Sequence, residues 1–382
     1  MTLRVGICAP YDLALDGGVN SHIRAQARAL RDLGHYVCVF GAASAPLDGG
    51  EQRLSGSVSM VVHGTETGVG VDPRAWPRVR RLFARERFDV LHVHEPLMPI
   101  VPWCATWQAR VPVVGTFHTH RENGHRFYPL SRPLLAPLMR RVTSRIAVSN
   151  AAKRTVALHF PGRYAVVPNG IDVARFRKPA PRPSNMPLDR FHVLSVGRLE
   201  PRKGVDHLVD AVAIAAREIP TLELVIVGDG PDREALAARA SHARVAAQFV
   251  GRVGDDDLNA YYHAADVVCA PATGGESFGI VLLEAMAAGR PVVATEIDGY
   301  VELAGGGANG ARLVPPGDAD ALARELTALA GDAPLRARLA AKNVEFATRF
   351  DWAAVAQRLE AIYFEALGSS SAGLQTRSRS IK

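Results

Sequence analysis

The chain has 382 residues, of which 48% are hydrophobic, and this is long enough for two domains that each bury a core. It carries a formal net charge of +7 at pH 7, and no apolar run approaches the roughly 18 residues of a membrane-spanning helix, which argues against an integral membrane protein. The four cysteines show no C-x-x-C spacing, so we expect reduced core residues rather than a disulfide or zinc framework.

The positive charge is concentrated in the first half of the chain. Residues 1–176 carry a net charge of +10, whereas residues 177–382 carry −3. This asymmetry points to an anionic partner for the first half, either nucleic acid or an acidic membrane surface. The reduced cysteines and the strand pattern at the very start, which leaves no room for a signal peptide, predict a cytoplasmic location.

Both halves of the sequence alternate apolar strand runs with helical patterns. Continuous runs of Val, Ile and Leu separated by helices are typical of parallel sheets that are covered on both faces. We therefore predict an α/β protein with two doubly wound domains. The predicted strands are 3–10, 36–40, 88–94, 111–118 and 145–150 in the first half, and 191–198, 222–230, 246–252, 266–272, 291–296 and 311–316 in the second.

A proline-rich stretch marks the predicted boundary between the domains. Residues 175–190 contain four prolines, which interrupt regular elements and suit a hinged linker beside a cleft. The predicted domains are therefore 1–176 and 177–350, followed by a helix at 351–367. The Ser-rich segment 368–382 has the composition of a disordered tail.

The first candidate site follows the first strand, where "DGGVNSH" leads into a helix predicted from about Ser21 to Leu33. In open parallel sheets ligands bind at the carboxyl ends of the strands. Gly17 and Gly18 would let backbone amides approach a phosphate at the helix N-terminus. The alternative is an ordinary glycine turn, because the full G-x-G-x-x-G pattern is missing.

A basic amphipathic helix is predicted within "DPRAWPRVRRLFARER", residues 72–87. At 100° per residue one stripe is basic, and Trp76, Val79 and Phe83 fall opposite it. This pattern fits a helix lying on anionic lipid, or a surface helix whose apolar side faces its own domain core. The basic stripe consists of Arg74, Arg78, Arg81 and Arg85.

Histidines cluster at the ends of two predicted strands. His118 in "GTFHTH" could hydrogen-bond a sugar hydroxyl or carry a proton, or be a structural donor. His92 and His94 in "LHVHEP" share one strand face and could ligate a metal, but no third ligand stands at a suggestive spacing, so we expect no metal site.

Two motifs of the second half suit a diphosphate. In "GRLEPRKG", Arg198 and Lys203 lie close to a helix start, where two cations could neutralise the charge of a departing nucleotide. The alternative is a solvated basic loop. In "GGESFGIVLLEAMAAG", residues 274–289, the N-terminal amides of the helix offer a further anion site. These amides belong to Phe278, Gly279 and Ile280, which follow Ser277.

Two carboxylates accompany that helix. Glu276 lies just ahead of it, where it could accept hydrogen bonds from sugar hydroxyls or cap the helix. Glu284 lies inside a helix that is apolar on every side, so it needs a hydrogen-bond partner, either a protein group or a ligand such as a ribose.

Taken together, these motifs resemble the retaining glycosyltransferases of family four, whose GT-B fold consists of two Rossmann-like domains facing a central cleft. The resemblance spans nearly the whole chain to about residue 367. It is carried, in order, by "GGV", "HVHEP", "TFHT", "IAVSN", "VPNGID", "GRLEPRKG", "GESFGIVLLEAMAAG" and the terminal "FDW" helix.

Within this family the chain is similar to the bacterial phosphatidylinositol mannosyltransferases, which share the opening "PY" and "GGV.SH" pattern. The resemblance implies a role for each matching position. His118, Arg198, Lys203 and Glu276 would be catalytic; Gly18, Val253, Ser277, Phe278, Gly279, Ile280 and Glu284 would bind the donor, with Val253 at the base and Glu284 at the ribose; Tyr11, Gly17 and Asn20 would bind the acceptor.

The resulting hypothesis is a metal-independent hexosyltransferase that needs no cofactor. It would move a hexose, with GDP-mannose as the favoured donor, to a lipid head group at the inner face of the cell membrane. Its partners would be the nucleotide sugar and an anionic lipid surface, without nucleic acid. A soluble acceptor on the same fold, or a non-catalytic membrane binder, is the alternative; the base, the sugar and the acceptor stay open.

Overall fold

The computed structural model describes residues 1–15, 17–47, 49–62, 65–121, 128–305 and 309–379. The chain divides into two compact units. Unit 1 comprises Met1–Gly170 with the C-terminal segment from Trp352, and unit 2 comprises Ile171–Asp351. All four cysteines are free thiols, as expected from their apolar surroundings. Among the described residues, no helix combines the length and apolar character needed to cross a membrane.

Unit 1 is built on a parallel sheet with a small antiparallel hairpin beside it. Its strands are β1 Arg4–Cys8, β2 Tyr36–Ala42, β3 Gln52–Ser55, β4 Ser57–Val62, β5 Thr65–Gly70, β6 Val90–His94, β7 Val113–Phe117, β8 Ser144–Ala147 and β9 Ala165–Val166. Seven of them pair in the order β3-β2-β1-β6-β7-β8-β9, and β4 pairs with β5. The helices are α1 Gly18–Asp32, α2 Ala75–Glu86, α3 Val101–Gln108, α4 Tyr128–Met139 and α5 Asn150–Ala157.

Unit 2 is a second parallel sheet enclosed by helices. Its strands are β10 Phe191–Val196, β11 Leu222–Val227, β12 Ala247–Gly251, β13 Val267–Ala270, β14 Val292–Thr295 and β15 Ala311–Val314, in the order β12-β11-β10-β13-β14-β15. Its helices are α6 Val173–Arg177, α7 Val205–Ala215, α8 Arg233–His242, α9 Asp255–Ala264, α10 Ile280–Ala287, α11 Asp298–Ala304, α12 Ala319–Gly331 and α13 Ala333–Ala347. The central strands are buried on both faces because almost every side chain is apolar.

Each predicted strand is present within a few residues of its predicted bounds. The sequence patterns did not predict β3, β4, β5 or β9, which are short or polar and lie outside the centre of the sheets. Their pairing depends on neighbours rather than on an apolar run of their own.

The chain passes between the units at 170/171 and at 351/352, whereas the sequence placed the boundary within 175–190. The proline-rich stretch belongs to unit 2, because α6 runs into its first residues and the fully buried Met186 anchors it in that core. The last helix, α14, starts at Trp352 and runs to Arg379, beyond the expected end at Leu367 and into the segment predicted to be disordered. It packs on α1 through side chains that include Leu359 and Tyr363.

The strand order of each unit defines where a ligand is expected. Chain progression reverses between β1 and β6 in unit 1 and between β10 and β13 in unit 2. At such switch points the loops after two neighbouring strands run in opposite directions and leave a crevice. The loops that begin at residues 9, 95, 197 and 271 are therefore the candidates for function.

Candidate functional site

Two loops at the switch point of unit 2 are held together by their backbones. The loop after β10 ends in a 3-10 turn at Pro201–Lys203, and the carbonyl of Arg202 accepts a hydrogen bond from the N–H of Thr273 at 2.9 Å. Gly204 adopts φ +63°, and a Cβ there would lie 2.2 Å from the carbonyl oxygen of Pro271. This close approach fixes the loop of Lys203 against the loop after β13.

A charged cluster spans the two loops. The Nζ of Lys203 lies 2.8 Å from Oε1 of Glu276, and a guanidinium nitrogen of Arg202 contacts the same oxygen. Burial would raise the pKa of Glu276, but Lys203 and Arg202 outweigh this and lower it, so the carboxylate is ionised. The structure therefore brings together Lys203 and Glu276, which the sequence placed 73 residues apart in two separate motifs.

A second carboxylate orients the arginines of the same loop. Glu200 is buried, and its Oε1 lies 2.5 Å from Arg202. The Nε of Arg198 is 3.7 Å from Oε2 of Glu200 and has no hydrogen-bond partner among the described residues. Arg198 and Lys203 both line a small pocket at the ends of β10 and β13. Sequence reasoning missed Glu200 and Arg202, although both stand within the quoted motif "GRLEPRKG".

The start of α10 faces the same region. Gly279 precedes the helix with φ +91°, and a Cβ there would lie 2.7 Å from the ring of Tyr300. Phe278 is buried, while Ser277 and Ile280 are partly exposed. The N–H of Leu282 donates to the carbonyl of Gly279 at 3.0 Å, and the N–H groups ahead of it lie at the positive end of the helix, which favours an anion there.

Glu284 lies one turn further into α10, and its partner is a neutral side chain. The hydroxyl of the fully buried Tyr262, on α9, donates to Oε2 of Glu284 at 2.8 Å. Burial raises the pKa of Glu284 to about 7 despite this hydrogen bond. No ion pair engages Glu284 among the described residues, so part of its hydrogen-bonding capacity is left for a ligand. Val253, the predicted base contact, is partly buried in the loop between β12 and α9.

We expect Glu284→Gln to change how stability depends on pH. The folded pKa of about 7 exceeds the ordinary 4.5, so the native state binds more protons between these values. The free energy of unfolding of the wild type therefore falls as pH rises through this window. Relative to wild type, the variant should gain about 2 kcal/mol between pH 5 and pH 8. Urea unfolding followed by far-UV circular dichroism measures this, and a constant difference across pH contradicts it.

In unit 1 the loop after β1 carries two glycines that the fold itself does not require. Gly17 is extended, at φ −176°, and a Cβ on Gly17 or Gly18 would meet no atom within 4 Å. Both are exposed at the start of α1, and Tyr11, earlier in the same loop, is partly exposed. Their lack of side chains therefore leaves room for a ligand to approach the backbone.

Asn20, the predicted acceptor contact, has a role inside the loop after β1. It is buried, and its Nδ2 donates to the carbonyls of Asp12 at 2.7 Å and Leu15 at 2.9 Å. The side chain holds the loop after β1 on α1, because two of its hydrogen-bond donors are already used.

His118 is buried at the end of β7 and is held by two neighbours. Its Nε2 lies 2.8 Å from Nδ1 of His94, and its backbone N–H donates to Oε1 of Glu95 at 2.7 Å. Burial lowers the pKa of His118 well below its usual value, so the ring is neutral. The ring of His22 stands edge-on to it, with centroids 5.0 Å apart. His22 belongs to the opening pattern "GGV.SH", but that pattern did not predict a role for it.

Helix α2 turns its apolar side toward the core of unit 1. Val79 and Leu82 are buried and Phe83 packs against the same cluster, whereas Trp76 stays 45% exposed. Of the predicted stripe, three arginines form ion pairs: Arg74 and Arg78 with Asp72, and Arg85 with Glu86. Arg81 is exposed and bonds the carbonyl of Pro77. The exposed residues of α2 therefore include three arginines of the stripe's helix, Arg80, Arg81 and Arg85, together with Trp76.

Comparison with known proteins gives two family models in series. "Glycosyltransferase Family 4" matches residues 16–175 and "Glycosyl transferases group 1" matches residues 176–345. A phosphatidyl-myo-inositol mannosyltransferase of Mycolicibacterium smegmatis is 37% identical over 367 residues, covering 94% of this chain and 93% of that protein.

Solved structures share the fold of the whole chain. Sucrose-phosphate synthase from Thermosynechococcus elongatus superposes with a TM-score of 0.76 at 23% identity, covering 96% of this chain and 99% of that one. HepE from Anabaena, in complex with UDP and glucose, gives a TM-score of 0.75 at 23% identity, covering 95% and 100%. The predicted GT-B fold class, with two Rossmann-like halves, is confirmed.

Proposed function

The chain belongs to glycosyltransferase family 4, and from this premise we propose that it is a retaining mannosyltransferase acting on a lipid head group. The donor would be a nucleoside diphosphate sugar, with GDP-mannose favoured, and the acceptor a hydroxyl of a lipid such as phosphatidylinositol. The relative from Mycolicibacterium smegmatis is named as a mannosyltransferase for phosphatidyl-myo-inositol, which supports mannose as the sugar and a lipid as the acceptor. The enzyme would work peripherally at the inner face of the cell membrane.

The observation that carries the proposal is the charged cluster at the switch point of unit 2. Lys203 and Arg202 converge on Glu276, and the start of α10 lies immediately after it in the chain. A departing diphosphate needs positive charge, and Glu276 can accept hydrogen bonds from sugar hydroxyls. Lys203 would then shift part of its interaction from the carboxylate to the phosphates as the bond to the sugar breaks.

Arg198 and the first-turn amides of α10 would complete the binding of the diphosphate. Arg198 lines the same pocket as Lys203, and its Nε has a free donor. Two fixed cations and a helix N-terminus would together stabilise the negative charge that builds up on the diphosphate as it leaves the sugar. We therefore propose that the transfer needs no cofactor.

Glu284 would accept hydrogen bonds from the ribose hydroxyls of the donor. A carboxylate that accepts hydrogen bonds from two hydroxyls is stabilised in its ionised form, whereas its pKa without ligand is about 7. Nucleotide binding near pH 7 should thus release a fraction of a proton. The hydrogen bond from Tyr262 would hold the carboxylate in place.

The membrane part of the proposal depends on unit 1. Its sequence carries the positive surplus, and α2 leaves its arginines and the half-exposed Trp76 outside the core. Because three of the arginines are paired with acids, we expect moderate affinity for anionic lipid rather than firm anchoring. A transferase with a soluble acceptor is the alternative.

The decisive experiment supplies donor and acceptor together. The full chain is incubated with GDP-mannose, UDP-glucose or ADP-glucose and with vesicles that contain phosphatidylinositol, and the lipids are analysed by mass spectrometry. We expect a product heavier by one hexose with GDP-mannose only. Hexose transfer from another donor, or none to lipid from any donor, overturns this assignment.

Sedimentation with vesicles tests whether α2 is the surface that contacts the membrane. Neutralising Arg78, Arg81 and Arg85 together should weaken sedimentation with anionic vesicles while leaving nucleotide affinity unchanged, because these residues lie in the other unit from the donor site. Vesicle binding that survives this change removes α2 as the contact surface.

A further inference from the structure

Three histidines from three separate elements converge in unit 1. His22 lies on α1, His94 ends β6 and His118 follows β7, and one ring nitrogen of each lies within 4.8 Å of the others. Nδ1 of His94 and Nε2 of His118 are 2.8 Å apart. Sequence spacing offered only His92 and His94 without a third ligand. In the fold, His92 is not part of this group, and His22 and His118 lie beside His94 instead.

We propose that His22, His94 and His118 form a three-histidine site for a zinc ion. Zinc takes imidazole nitrogens at about 2.0–2.1 Å, which in tetrahedral geometry separates them by about 3.3 Å. His94 and His118 are 2.8 Å apart and share one N–H, so on binding zinc they would separate by about 0.5 Å and the ring that donates would carry its proton on its other nitrogen. The nitrogen of His22 would have to approach by at most about 1.5 Å, a change within the reach of side-chain rotation.

His92 supports the site without belonging to it. Its Nδ1 lies 2.6 Å from the hydroxyl of Tyr363 and its Nε2 lies 2.7 Å from Oγ1 of Thr116, so both nitrogens are engaged. Its ring stacks on that of His94, with centroids 4.5 Å apart. Side chains behind the ligands that fix ring orientation are a regular feature of zinc sites.

The surroundings favour neutral ligands and an accessible ion. The three side chains are imidazoles, which bind zinc in their neutral form. His22 is partly exposed, which gives an ion a route and leaves a fourth position for water. The carboxyl group of Glu95, whose Oε1 accepts the backbone N–H of His118 at 2.7 Å, lies beside this cluster.

We expect zinc at this site to inhibit transfer, because it would occupy His118, which the resemblance to family-four glycosyltransferases makes a catalytic residue. This consequence rests on the proposed function, through His118. Zinc binding itself does not, since it can be measured without donor or acceptor, so the two ideas can fail separately.

The experiment titrates the full, chelator-treated chain with Zn²⁺ in competition with a chromophoric chelator. We expect one ion per chain for the wild type. His22→Asn and His94→Asn should each weaken binding at least tenfold, by analogy with the roughly 10- to 100-fold effects of removing even supporting residues. His242→Asn, on the exposed end of α8, is the control and should bind like wild type.

Two results overturn the proposal. One is that the wild type binds no zinc, or that both His22→Asn and His94→Asn bind zinc as tightly as the wild type does. The other is a Co²⁺-loaded wild type without the visible absorption of a tetrahedral nitrogen site. The cobalt spectrum needs no variant, so it stays decisive even if the buried His94→Asn does not fold.

Discussion

Lys203→Met is expected to lower the turnover number by about 10²- to 10³-fold, the typical effect of removing one well-placed donor from developing negative charge. The Nζ of Lys203 lies 2.8 Å from Glu276, and the side chain is only 17% exposed. Its charge is thus held in place and poorly screened by water, which makes it effective at a departing diphosphate. Initial rates of transfer from GDP-mannose, measured over a range of donor concentrations, separate turnover from donor affinity.

The matched control for this variant is Lys342→Met, an exposed lysine on α13. It removes the same charge from the same unit, so it should leave turnover unchanged. The fold of Lys203→Met should persist, because Arg202 still pairs with Glu276. A turnover number within a factor of two of wild type removes Lys203 from the proposed mechanism.

Gly204→Ala is expected to destabilise unit 2 by about 3 kcal/mol and to abolish donor binding. Two effects add up: a left-handed φ of +63° disfavours any side chain by about 1 kcal/mol, and the new Cβ would lie 2.2 Å from a backbone oxygen. Backbone cannot rotate away as a side chain can, so the loop of Lys203 must separate from Pro271. Urea unfolding gives the stability, and calorimetric titration with GDP gives the loss of binding.

Gly289→Ala isolates the first of these effects. Gly289 has a similar φ of +68°, but its nearest neighbour is a methyl group of Val344 at 3.3 Å. This variant should lose only about 1 kcal/mol and keep GDP affinity. Equal effects of the two substitutions would show that the contact between Gly204 and Pro271 does not hold the site together.

Local sequence patterns were sufficient for most of the architecture. The central strands were predicted because they are buried on both faces and therefore must be apolar throughout, as "FHVLSV" in β10 shows. The edge strand β3 and the hairpin of β4 and β5 escaped prediction because their sequences, such as "QRLS" and "TETGVG", contain no continuous apolar run. The boundary between the units was displaced because proline content reports a break in regular structure, not the core to which the segment binds.

The residues of the candidate site were found through motifs, but their partners were not. Glu276, Glu284 and His118 stood out because charged or titratable groups occur next to apolar strand and helix runs. Tyr262 could not be linked to Glu284, since a tyrosine in "AYYHAAD" reads as an ordinary core residue. Asn20 was assigned to the acceptor from its place in the opening pattern, and that pattern does not record that its amide donates to two carbonyls of its own loop.

The sequence by itself determined two parallel sheets, the loops that end their strands and the chemical types gathered there, because periodicity and composition are properties of neighbours along the chain. Only the tertiary structure decided which charges meet. Lys203 shares Glu276 with Arg202, and His22 joins His94 and His118, through strand order and helix packing. Such contacts link residues far apart in the chain, and hydrogen bonding and burial then set their protonation, so no local pattern records them.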